Sequence, residues 1–159
     1  MKSTMVIETK RNFEQIILSR YEKWKGENGI FECVIVQNII ENMMLYLELD
    51  EEEILDFYRR LHRVLQGKEY KILYLEVEQI KETIEVIKKE RCDENGEEKW
   101  FQLMVDYIEQ SPYGKKHNYL GMDGLLSHLE RRVRLEKQLI EEVFQKETEL
   151  MKSKKYQWS

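Results

Sequence analysis

The stretch "SPYGKKHN", residues 111–118, gathers two cations (Lys115, Lys116), an imidazole (His117), an amide (Asn118) and a phenol (Tyr113) around Gly114. In a loop, cations, amide donors and an aromatic together favour an anion; an ordinary helix-breaking turn is the bland alternative. A second set lies in "GIFECVIVQNIIENMM", residues 29–44, the most apolar run of the chain. Glu32 sits there between Phe31 and Cys33, either as a core acid hydrogen-bonded to a neighbouring helix or as the mark of a site. Gln37 and Asn38 follow, and each amide offers a donor and an acceptor that can read a base or sugar, or else cap a helix. Arg91 closes "IKKER", and its guanidinium fork suits a phosphoryl group; a solvated helix end beside Lys88 and Lys89 is the alternative.

Other polar residues point to structure. His62, His117 and His128 have no metal-ligand spacing among them. "ERRVRLEK" mixes Glu130, Arg131, Arg132, Arg134 and Glu136, which reads as a salt-bridged helix face. Cys33 reads as a small core residue, and two cysteines (Cys33, Cys92) cannot build a disulfide framework, so a reduced, cytoplasmic setting is expected.

These residues need a scaffold, and composition bounds it. The 159 residues suit one domain with a real core; 42% are apolar and 36% charged. The net charge of -5, from 26 basic and 31 acidic residues, argues against a nucleic-acid binder. No apolar run approaches a membrane span of roughly 18 residues, and "MKSTMVIETKRN" has no signal-peptide core.

Helical spacing dominates. "RNFEQIILSRYEKWK" places Phe13, Ile16, Ile17, Tyr21 and Trp24 on one face, stopped by Gly26. "DEEEILDFYRRLHRVLQG" has Asp50 as N-cap, Glu53 three residues on, an Ile54, Phe57, Leu61, Val64 stripe and Gly67 as stop. "KILYLEV" (71–77) is the clearest strand, and "EQIKETIEVIKKER" returns to helical spacing. After the loop "CDENGEE", a helix through Trp100 and Ile108 is ended by "SPYGKKHNYLG". A last amphipathic helix runs from Asp123 to about Lys152. For 29–44 a short strand ending near Glu32 and then a helix accounts for both halves, and puts the carboxylate at a strand end, where open α/β sheets place ligands. Residues 1–11 are expected to form a flexible tail.

"IFECVIVQNIIENMM", "DEEEILDFYRRL", "KILYLEVEQIKETIEVIKKER" and "YIEQSPYGKKHNYLGMDGLLSHLERRVRLE" together resemble the C-terminal part of bacterial P-loop proteins similar to thymidylate kinases and related nucleotide or nucleoside kinases. The resemblance covers roughly residues 13–144. It implies a helix-rich α/β fold, with a partial parallel sheet of two or three strands flanked by helices. It further implies ATP and Mg²⁺ in the intact family and a nucleotide or nucleoside as partner. Glu32 would be the acid near metal or acceptor, and Arg91 the start of a mobile lid. Gln37, Asn38, Tyr113, Lys115, Lys116, His117 and Asn118 would contact substrate. The chain departs from the family at the phosphate loop. It has no G-x-x-x-x-G-K-[ST], and "KST" (Lys2, Ser3, Thr4) follows Met1 where a glycine belongs. Catalysis is therefore not expected of this chain, and no cofactor is assigned to it. A non-catalytic, self-associating interaction protein is the rival reading. In it the bare sheet edge is covered by "TMVIE" or by a partner, and the far end of the last helix is the homodimer contact.

Overall fold

Local signals account for the first half of the chain. The computed structural model describes residues 2–26 and 28–152, with side chains from residue 9 onward; Met1 and the side chains of "KST" lie outside them. Helix α1 (Lys2–Lys23) is followed by Gly26 at φ +70°, a left-handed conformation that glycine adopts without strain. Helix α2 spans Gln37–Leu45 and α3 spans Glu51–Val64. The expected capping box is present: Asp50 Oδ1 accepts from the Glu53 N–H at 2.8 Å, and Glu53 Oε2 accepts from the Asp50 N–H at 3.0 Å. Gly67 lies at φ +81° just beyond the end of α3. Lys68 Nζ donates to the Glu22 and Trp24 carbonyls at 3.0 and 2.6 Å, which satisfies acceptors at the end of α1.

The chain divides into two compact units, residues 1–71 with 135–147, and residues 72–134 with 148–159. In the first, α2 and α3 bury Ile40, Met43, Met44, Phe57, Tyr58 and Leu61 completely, and Phe144 joins them. Tyr58 sits edge-on to Phe57 and Phe144, with centroids 5.4 and 6.2 Å away. α1 is tied to α3 by Lys10–Glu53 and Arg60–Glu14, both at 2.7 Å.

The second unit holds the sheet. Strand β1 (Ile72–Glu76) pairs in parallel with β2 (Thr148–Lys152), in a register of Ile72 opposite Thr148 and Glu76 opposite Lys152. Around them lie α4 (Ile80–Glu90), α5 (Lys99–Gln110), α6 (Pro112–Lys116) and the first part of α7 (Gly121–Glu142), whose residues from Leu135 belong to the first unit. The protein is thus helix-rich, with a small two-stranded parallel sheet.

Three expectations need correction. Residues 30–36 form bends and turns, not a strand. Cys33 adopts φ +59°, the Asn38 N–H donates to its carbonyl at 3.0 Å, and the Tyr58 hydroxyl donates to the Ile35 and Val36 carbonyls at 2.7 and 3.2 Å. Carbonyls held by a side chain across the core are withdrawn from a strand ladder. The last helix stops at Glu142, and residues 148–152 are strand. The Phe144 N–H reaches back five residues to the Leu139 carbonyl, Phe144 is buried, and His62 Nε2 meets Glu147 Oε1 at 2.8 Å; these contacts turn the chain out of the helix. The far helical end expected as a dimer contact is therefore β2. Finally, "TMVIE" lies within α1 and cannot serve as an edge strand.

Candidate functional site

The expected site residues divide between the two units. Glu32, Gln37 and Asn38 belong to the first; Arg91 and residues 113–118 belong to the second. Glu32 is exposed in a bend, neither a core acid nor the end of a strand. Gln37 and Asn38 occupy the first turn of α2, Gln37 half-buried and Asn38 exposed. Arg91 is the C-cap of α4, with its guanidinium 5.0 Å from the centroid of the Trp100 ring, while Lys88 lies 4.6 Å from that of Phe101. These two cations clamp α4 to α5, so Arg91 has a structural occupation.

Residues 111–119 are built differently from the expected loop. "Ser-Pro" is a helix start here: Ser111 is fully buried as N-cap, its Oγ accepts from the Gly114 N–H at 3.0 Å, and Pro112 occupies the first helical position. Ser111 Oγ also donates to the Ile108 carbonyl at 2.6 Å, so one hydroxyl joins α5 to α6. Gly114 is buried, and a Cβ on it would collide with the Ile108 carbonyl. The end is closed as firmly. His117 is the C-cap, Asn118 takes φ +53°, and the Tyr119 N–H returns to the Gly114 carbonyl at 2.9 Å, the Schellman arrangement with asparagine in place of glycine. A Cβ on Gly124 would lie 2.6 Å from the Tyr119 carbonyl carbon, so glycine there lets the start of α7 pass close by.

This rigid turn produces a cluster. Tyr113 and His117, four residues apart on α6, stack with centroids 4.0 Å apart at an interplanar angle of 27°. Tyr119 stands edge-on to Tyr113 at 5.7 Å. From α7, the Arg131 guanidinium lies 4.5 Å from the Tyr113 centroid. Burial, then the neighbouring Tyr113, raises the Tyr119 hydroxyl above its ordinary pKa, while Arg131 and Arg134 pull the other way. Lys115, Lys116 and His117 are exposed on the same short helix. Residues 113–134 hold five Lys or Arg against two Asp or Glu, a locally basic segment on a chain of net charge -5.

Tyr119, Arg131 and Arg134 escaped the sequence reading, which treated the arginines only as part of a mixed-charge face. Their i, i+3 spacing was a signal that they share one side of α7, but nothing local tells which aromatic they meet. Glu32, the acid implicated by the resemblance, is solvated, and among the described residues no group of three or more His, Cys, Asp or Glu side chains could hold a metal ion. Comparison of the chain with protein-family models, curated proteins and solved structures gave no match in any of the three.

Proposed function

We propose that this chain is a kinase-like nucleotide- or nucleoside-binding domain that holds its ligand without transferring a phosphoryl group itself. The observation that carries the reading is the cluster of Tyr113, His117, Tyr119 and Arg131, flanked by Lys115 and Arg134. An exposed imidazole offers a base a ring to stack on, and a tyrosine hydroxyl and cations offer a phosphate donors and positive charge. Phosphoryl transfer draws most of its charge stabilisation from a backbone cradle, a lysine and Mg²⁺. The sequence has no G-x-x-x-x-G-K-[ST] to build that cradle, so binding is the part of the kinase-like activity assigned to it.

Titration of the protein with nucleoside mono- and diphosphates, followed by calorimetry or by amide shifts, tests the reading. Unphosphorylated nucleoside and inorganic phosphate serve as separate arms. The expected result is weak binding, Kd on the order of 1 mM, fading as the screening length shrinks from about 10 Å at 0.1 M salt towards 3 Å at 1 M. Replacing Lys115 and Lys116 by Ala together should weaken it at least about fivefold. No shift at residues 113–134 would dispose of the site. Mg²⁺-dependent turnover abolished by Glu32→Gln would overturn the non-catalytic half.

A further inference from the structure

The second unit carries two apolar surfaces open to solvent, and they are of complementary kinds. Burial alternates along β1: Ile72 is buried, whereas Leu73 and Leu75 are 59% and 60% exposed. In the parallel register Leu75 stands beside Met151, itself 44% exposed, so these three side chains share one face of the sheet. Parallel strands are ordinarily covered by helices on both faces, and a two-stranded sheet is marginal by itself. This face, on which Leu73, Leu75 and Met151 stand with Glu149 beside Leu73, is therefore a surface that lacks its helical layer. The other surface is on α5, which buries Val105 and Ile108 but leaves Leu103 and Tyr107, one turn apart, 70% and 39% exposed. That is the apolar stripe of a helix that lacks its sheet.

We infer that a second copy of this chain covers the face: α5 of one copy lies on the β1–β2 face of the other, and the contact is repeated by symmetry. A two-fold interface is one self-complementary surface in which residue i meets residue j and j meets i, and here one unit supplies both i and j. The five side chains leave on the order of 600 Å² per copy, so about 1,200 Å² in the pair, the lower end for a specific interface. The dimer is accordingly a reversible one, with Kd on the order of 10 µM. It is separate from the cluster around Tyr113, and neither depends on the other.

Sedimentation of the full chain over a concentration series tests the inference. The wild type should pass from monomer to dimer without larger species. Leu75→Glu and Leu103→Glu should each weaken association at least about tenfold. Both positions are exposed, so unchanged far-ultraviolet dichroism and melting show that the fold is intact. The decisive arm mixes Leu75→Glu with Leu103→Lys. In the mixed dimer one contact pairs the new carboxylate with the new ammonium while the other remains leucine on leucine, so mixing should restore dimers that neither variant forms alone. A monomer at all concentrations would overturn the inference. So would open-ended polymers, an effect of Leu75→Glu without one of Leu103→Glu, or variants that fail to rescue each other.

Discussion

The two units solve the burial problem unequally. Of the twelve largest fully buried side chains among the described residues, eleven belong to the first unit; only Ile108 belongs to the second. The first unit closes three helices and the tail of α7 around Phe57, Tyr58 and Phe144; the Tyr58 hydroxyl serves two carbonyls within it, and the Asp50 box caps α3 at its surface. The second spends its structure differently. It holds a tightly capped turn and a surface cluster of aromatics and cations; both units leave apolar side chains in solvent, Ile16, Ile30 and Phe31 in the first and Leu73, Leu75 and Leu103 in the second. Hydrophobic stabilisation follows the apolar area removed from water, so the first unit should contribute more of it than the second.

The comparison can be broken most directly at the core. Phe57→Ala leaves a cavity at a fully buried position and should cost about 3–5 kcal/mol; urea denaturation would show it. Leu61→Ala in the first unit, set against Leu125→Ala in the thinner core of the second, compares like with like, and the loss should be greater at Leu61. If the two losses were equal, the ranking of the units would fail.

Gly114→Ala sharpens the other side. The added Cβ meets the Ile108 carbonyl, so α6 must shift, at about 1–3 kcal/mol. The shift should unstack Tyr113 from His117, visible as a loss of their ring-current shifts. The same substitution at Gly96, where a Cβ meets nothing, leaves only the strain of φ +78° and should leave the stacked pair intact.

Tyr58→Phe removes one hydroxyl that serves two carbonyls. It should cost about 1–2 kcal/mol and speed amide exchange through residues 33–38 more than elsewhere. Uniform exchange would mean that the turn is held by something other than Tyr58.

The smallest expected effect is a pH dependence confined to the first unit. The hydrogen bond from Lys10, and then the Asp50 N–H, hold the Glu53 carboxyl below its ordinary range. A depressed folded-state pKa stabilises fully above the unfolded value and is lost as pH falls through the folded one. Stability should therefore decline on acidification below the ordinary glutamate range, and Glu53→Gln should flatten that part of the profile. Glu53 is substantially exposed, so solvent screening keeps the amplitude small.

What the chain announced in its own sequence were features set by neighbours a few residues apart. Asp50 and Glu53 form a cap, Gly26 and Gly67 end helices because they tolerate positive φ, and "KILYLEV" is a strand with alternating burial. The charge and aromaticity of residues 113–118 were legible in the same way, but not that the segment is a capped helix rather than a loop. What only the tertiary structure decided were matters of partners distant in the chain. β1 takes its partner from residues 148–152, beyond four intervening helices and any local cue, because the turn at Phe144 and Glu147 ends α7 early. The strand expected to end near Glu32 is absent, and just beyond it Tyr58 holds the Ile35 and Val36 carbonyls in a turn. Arg131 joins Tyr113 across α6 and α7, and Glu32, conspicuous in sequence, stands in solvent. Periodicity and capping are written within a turn or two of the backbone; which face meets which is settled by burial over the whole chain, and a single sequence records that only indirectly.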